Sequence, residues 1–206
     1  MTCTVPLSAV SPKREAILDG AVKCFLEHGY AATSMDSVAA AASVSKATIY
    51  AHFSSKADLF AAVISRRCED DLVGDDHWPE IGDDAQATLM QLGRLVLSFM
   101  IAPNTLAIHR VVVAEAARQP DLANAFWVAG PGRACDKLFQ LFAELDQKKL
   151  LRIPDPKVAA LTFVNMLKAE VFFCRLLGLP EGTERMGVDQ TIETAVALIM
   201  KGYAPD

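Results

Sequence analysis

The sequence predicts an all-α protein: an N-terminal three-helix unit of helix-turn-helix type, followed by a larger helical bundle. Three observations carry that prediction. Apolar residues recur at the 3.6-residue period from Ser11 to Met200, no segment shows the two-residue alternation of a strand, and Ser-Pro, Asp-Pro and Gly signals cut the chain into helix-sized pieces. At 206 residues and 52% apolar composition, the chain can bury a core of one or two small domains and is not disordered.

Met1 to Val10 has no period, so residues 1–12 are read as a flexible tail. Ser11-Pro12 is a helix opening with proline at the first helical position. The helix it opens runs to about His28, burying Ile17, Leu18, Ala21, Val22, Phe25 and Leu26, with Gly29 as its stop. Thr33 is placed to N-cap the next helix, with Asp36 three residues on. Met35, Val38 and Ala39 share a face there, and the run Ala39 to Ala42 leaves the helix slim enough for close crossing. Ser43 and Val44 form a turn. Ser45 caps the helix Lys46 to His52, which points Ile49 and Phe53 inward and leaves Lys46, Thr48, Tyr50 and His52 on other faces. Ser54 or Ser55 caps a longer helix reaching about Leu72, and Ser55 with Asp58 has capping-box spacing. The first domain is assigned to residues 13–60 and the second to residues 61–206.

In the second domain the period returns at Leu89, Leu92, Val96, Phe99 and Met100, closed by Ala102-Pro103. Asn104 or Thr105 opens a helix to about Gln119, a shorter one spans Asp121 to Val128, and Gly130-Pro131-Gly132 separates it from a helix over Arg133 to Lys149. Lys157 to Leu177 and Val188 to Met200 complete the chain. These last two are apolar on so many faces that one bundle does not cover them, which makes about 157–177 and 188–200 the expected faces of a homodimer.

Composition excludes several classes. There is no secretory signal, and no run approaches the roughly 18 uninterrupted apolar residues of a membrane span, so a cytoplasmic protein without membrane contact is expected. Five scattered cysteines without C-x-x-C spacing read as reduced thiols, a redox sensor being the alternative. The acids around Asp70 and Asp75-Asp76-His77 match no metal-ligand spacing and read as a solvated loop. Four histidines stand apart with no nucleophile or base beside them, so neither an enzyme nor a cofactor is expected. The net charge of −5 is uneven: residues 1–60 hold five cations and five acids, and the remainder holds 15 against 20. That balance permits nucleic-acid binding by the first domain without arguing for it.

A helix presenting Ser, Lys, Thr, Tyr and His, braced by a slim partner, suits the DNA major groove. Here the residues Ala21, Phe25, His28-Gly29-Tyr30, Thr33, Val38-Ala39, Val44-Ser45, Thr48-Ile49-Tyr50, His52-Phe53 and Lys56-Leu59 resemble the DNA-binding domain of the TetR family of bacterial transcriptional regulators. The stretch from His109 through Gly130-Pro131-Gly132-Arg133 looks like the C-terminal domain of the AefR-like subgroup. Ser43 and Ala47 depart from the family's usual glycines. A serine at a left-handed turn costs roughly 1 kcal/mol relative to glycine.

The resemblance implies a dimer that binds a near-palindromic operator on double-stranded DNA and is released by a small lipophilic or aromatic inducer, repression being the usual direction. It implies phosphate contacts from Thr33, Tyr50, His52 and Lys56 and base contacts from Lys46 and Thr48, with Ser45 both capping its helix and touching DNA. A ligand cavity is expected in the second domain, with Phe99, Met100, Leu106, His109, Trp127, Phe139, Phe142, Met166 and Phe173 as lining residues, each equally accounted for as core. His109, Arg110, Asn165 and Lys168 are the sharper clues, because polar groups inside apolar helices need partners. Arg110 and Glu115 are one possible pair. A helical interaction module that has given up DNA binding is the remaining competitor.

Overall fold

The computed structural model describes residues 11–74 and 77–205, and every regular element among them is helical. The first three are α1 (Pro12–Ala32), α2 (Met35–Ala41) and α3 (Lys46–His52), and α4 (Lys56–Cys68) follows. A π-helical segment, Glu69–Val73, extends α4, so the linker helix reaches the expected end near Leu72 but loosens its last turn. The body contains α5 (Ala85–Ile101), α6 (Pro103–Glu115), α7 (Pro120–Ala129), α8 (Pro131–Gln147), α9 (Pro156–Leu176) and α10 (Val188–Gly202). The tail residues 1–10, with Cys3, and Asp75 and Asp76 of the acidic loop lie outside the described residues.

The N-terminal helices assemble around three rings. Phe25 and Tyr30 stack at 5.6 Å, and Phe60 of α4 meets both edge-on at 5.2 and 5.4 Å. Gly29 leaves the helical region (φ 77°) where the stop was expected, and one further turn continues to Ala32. Gly20 lets α1 pass over α2: a Cβ at that position would lie 3.0 Å from the Ala42 nitrogen and 3.1 Å from the Ala42 Cβ. The slim alanine run is thus the surface on which α1 rests.

The cap of α2 differs from expectation. Ser34 holds that position, accepting from the Ser37 amide, and the Ser37 hydroxyl accepts from the Ser34 amide in return. Thr33 lies one residue too early. Its side chain is buried, and its hydroxyl faces back to α1, within 2.7 Å of the Gly29 carbonyl and 3.0 Å of the Cys24 carbonyl. A hydroxyl that closes the end of α1 does not cap α2.

Three helices from the body meet tightly, α5 and α9 packing on one another and each on α10. Asp84 caps α5, and Asp155 caps α9 by accepting from the Lys157 and Val158 amides. α9 departs from helical geometry at Ala169. Contacts also cross between the expected domains: α1 packs on α6, and α4 packs extensively on α7. Among the described residues no single helix is long and apolar enough to cross a membrane.

Candidate DNA interface and ligand cavity

The turn between α2 and α3 is sharp because Ser43 adopts φ 54°, a left-handed conformation in a residue with a Cβ. α3 then starts at Ser45, whose Oγ accepts the Thr48 amide at 3.1 Å and lies 2.8 Å from the Thr48 hydroxyl. Seven residues are too few for an independent helix. Ile49 and Phe53, both essentially buried, anchor it with about 1.5–3 kcal/mol each. The outward face carries Lys46, Tyr50 and His52, with Tyr50 half exposed. Lys46 is exposed but occupied: its Nζ donates to Asp36 of α2 at 2.8 Å, and that hydrogen bond and charge raise its pKa.

Lys56 makes bonds inside the head that the sequence did not suggest. Its Nζ donates to the carbonyls of Tyr30 (2.7 Å), Ala31 (3.2 Å) and Thr33 (2.8 Å) and sits 4.4 Å from the centre of the Tyr30 ring. All three protons are used to close the C-terminal end of α1. Burial lowers its pKa, against a smaller opposing effect of Glu115. Thr33 and Lys56 are thus both engaged in closing the end of α1, while the exposed polar side chains of α3 and its cap are Ser45, Lys46, Tyr50 and His52.

The second site is a cavity of about 260 Å³ between α4 and the body helices. That is near the lower end of the about 300–1,000 Å³ of small-molecule pockets. Of the expected lining residues it contains Phe99, Met100, His109 and Trp127. The other five lie elsewhere. Leu106 and Phe142 are core side chains, the latter 5.8 Å from Phe163; Phe139 lies under Lys157; Met166 is partly buried outside the cavity; and Phe173 is exposed beside Phe172. An aromatic at helical spacing fills core as readily as it lines a hole.

Asn165 and Lys168 line the cavity as the polar clues suggested, with Leu161 and Val164 on the same face of α9. Arg110 does not. It donates to the Leu176 and Arg175 carbonyls at the end of α9, while Glu115 accepts from Gln119, so the two are not a pair. His109 Nδ1 lies 2.9 Å from the Thr105 carbonyl and must carry the proton there, and its ring meets Phe126 and Phe172 edge-on. Burial first, and the charge of Lys168 after it, push the imidazole below its usual range. Arg67, Cys68, Trp78, Thr105 and Cys135 line the cavity without having been foreseen. No apolar period marks Trp78 as a wall residue, and Arg67 gave no signal because the partner of α4 was unknown.

Burial pushes Cys68 up to about 11 and raises Cys135 as well, leaving both protonated at neutral pH. In the acidic loop His77 Nε2 is occupied by the Asp70 carbonyl at 2.5 Å.

α4 connects the two sites. Its Lys56 end clamps the head, and its Ile64, Arg67 and Cys68 face the cavity. Gly130 permits that seat, because a Cβ there would lie 2.9 Å from both Cys68 Sγ and Ile64 Cγ2. Arg66 binds α4 to α1 through Glu15 (2.7 Å) and Asp19 (2.8 Å), and Arg133 of α8 holds Glu69 at 2.6 Å.

A helix-turn-helix joined by a shared helix to a cavity-bearing helical body is the architecture of a DNA-binding transcriptional regulator. Comparison with known proteins agrees. Residues 17–63 match the model of the bacterial regulatory proteins of the tetR family, and residues 87–205 match that of the AefR-like transcriptional repressor, C-terminal domain. A solved structure of the flavonoid-responsive regulator FrrA is 34% identical, with a TM-score of 0.77 over 93% of this chain and 96% of that one. A TetR-family regulator from Mesorhizobium loti is 25% identical, with a TM-score of 0.76 over 93% and 96%. Among curated relatives, the transcriptional activator FasR of Mycolicibacterium smegmatis is 42% identical over 57 residues, 28% of this chain and 26% of its own length. The repressor ComR of Escherichia coli is 45% identical over 53 residues, 26% and 25% of the two chains. These curated matches span only about a quarter of each relative. The chain belongs to the TetR family of bacterial transcriptional regulators.

Proposed function

We propose that this regulator is a dimeric repressor that binds a near-palindromic operator and leaves it when a small aromatic or lipophilic inducer enters the cavity. The observation that carries this reading is that α4 forms one wall of the cavity and is clamped to the head at its other end. Ser45, Lys46, Thr48, Tyr50 and His52 meet DNA, Thr48 and Lys46 at base edges and Tyr50 and His52 at phosphate. Lys46 exchanges Asp36 for the duplex when it does so. Val158 and Leu161 of α9 and Leu198 of α10 are exposed apolar side chains, in keeping with a partner's α9 and α10 covering them as a four-helix interface. A two-fold dimer sets two α3 helices about one DNA turn apart. Tilting α4 changes that spacing, and a preference of about 1–3 kcal/mol for the tilted state releases DNA. The 34% identical FrrA, named as flavonoid-responsive, supports an aromatic inducer.

The test is selection of binding sites from a random duplex library by the purified protein at a stated, moderate salt concentration. Enrichment of a two-fold symmetric site supports the reading. A folded dimer that enriches nothing would sink it and favour an interaction module.

A further inference from the structure

The charge of the cavity is one-sided. Its described lining contains two cations, Arg67 and Lys168, and no carboxylate, in walls that are otherwise largely apolar. Arg67 is balanced from outside the cavity: its guanidinium meets Asp71, one turn on, at 2.7 Å. For Lys168 no carboxylate lies within ion-pairing distance among the described residues. His109 is held neutral by burial, with the Lys168 charge adding to the effect, so it contributes no further cation. Three lining atoms, Arg67 Nε, Trp78 Nε1 and Thr105 Oγ1, are buried without a hydrogen-bond partner among the described residues. Two of those three can only donate. A buried donor left unsatisfied is costly, and the part-buried Lys168 ammonium at the same cavity adds a positive charge without a carboxylate beside it, so a group with acceptor oxygens and a negative charge answers both.

We propose that the cavity takes an aromatic monoanion, a carboxylic acid whose charged oxygens pair with Lys168 beside Asn165 and whose acceptors answer the unpartnered donors of Arg67 and Trp78. This deepens the ligand-responsive reading and rests on it. Apolar walls supply affinity for the rings, while the charge supplies selectivity, because a neutral amide leaves the ammonium unpaired and a cation is repelled. Arg67 also makes the ligand legible to the head. It is adjacent on α4 to Arg66, which grips Glu15 and Asp19 of α1, so an oxygen that draws on Arg67 acts on the helix that holds the reading head.

The test compares three probes of one size on the full-length protein by calorimetry and by release of a selected operator: biphenyl-4-carboxylate, biphenyl-4-carboxamide and 4-phenylphenol. The carboxylate is expected to bind about tenfold more tightly than the amide, the equivalent of one charge-assisted hydrogen bond. Lys168→Gln is expected to erase that preference while leaving amide affinity within about threefold, and Lys168→Arg to retain it. Arg67→Met, a second variant away from Lys168, is expected to weaken both carboxylate binding and operator release. Equal binding of acid and amide, no binding of the acid, or a preference that survives both Lys168→Gln and Arg67→Met overturns the proposal. Release by 4-phenylphenol with an inert carboxylate removes the acid alone and leaves the ligand-responsive reading standing. Operator binding that is indifferent to all three and to the flavonoid naringenin counts against both.

Discussion

Thr33→Val separates folding from DNA contact at the position where the two meanings of a polar side chain diverge. The Thr33 side chain is 2% exposed, with its hydroxyl 2.7 Å from the Gly29 carbonyl and 3.0 Å from the Cys24 carbonyl. Valine keeps the shape and removes the proton. The lost hydrogen bond costs about 1 kcal/mol net, and a carbonyl left unsatisfied in the interior raises the total to about 1–3 kcal/mol. A chain of this length loses about 2–4 °C in Tm per kcal/mol, so a fall of about 2–12 °C is expected at fixed protein concentration. Thr33→Ser, which retains the donor, is expected to lose less. Operator affinity measured well below Tm is expected to stay within about twofold of the parent. Unchanged Tm with a fall in affinity of about fivefold or more, the equivalent of one hydrogen bond, would return Thr33 to the phosphate backbone and refute the inward assignment.

Four further outcomes are expected. Ser43→Gly relieves the φ of 54° and raises denaturation stability by about 0.5–1 kcal/mol, whereas Ser43→Val lowers it. Lys56→Met releases the carbonyls of Tyr30, Ala31 and Thr33, so it lowers stability without changing the salt dependence of operator binding, which counts phosphate contacts. Tyr50→Ala weakens every duplex alike while Thr48→Ala changes preference among sequences, and equal shifts on all operators would show that α3 does not divide its work this way. His109 is depressed by burial, so the unfolded chain binds a proton first on acidification; stability falls as pH drops below about 6.5, and a denaturation series with His109→Gln loses that part of the pH dependence.

Much of this protein was legible before any coordinates. The helix-turn-helix follows from local rules: the Ser45 cap, the Ile49 and Phe53 spacing, the glycine stop at 29 and the proline openings are each satisfied within a few residues of the chain. These are short-range bonds and periodicities, so sequence alone determines them. Where a choice lay between neighbours it failed, because Thr33 and Ser34 both fit a cap and only the carbonyls of α1 decide which one turns away. The carbonyl bonds of Lys56 were out of reach of the sequence for the same reason. Its exposure and partners depend on the end of a helix 23 to 26 residues earlier.

The cavity shows the limit more sharply. Periodicity says that Phe99, Phe139 and Phe142 face inward, but an inward face becomes core or cavity wall according to what stands opposite. Only the seating of α4 on α7, through Gly130, places Arg67 in the same lining as Lys168, about a hundred residues away in the chain. The family and its helix-turn-helix were thus written locally in the chain, whereas the charge of the cavity arises from side chains that only packing brings together.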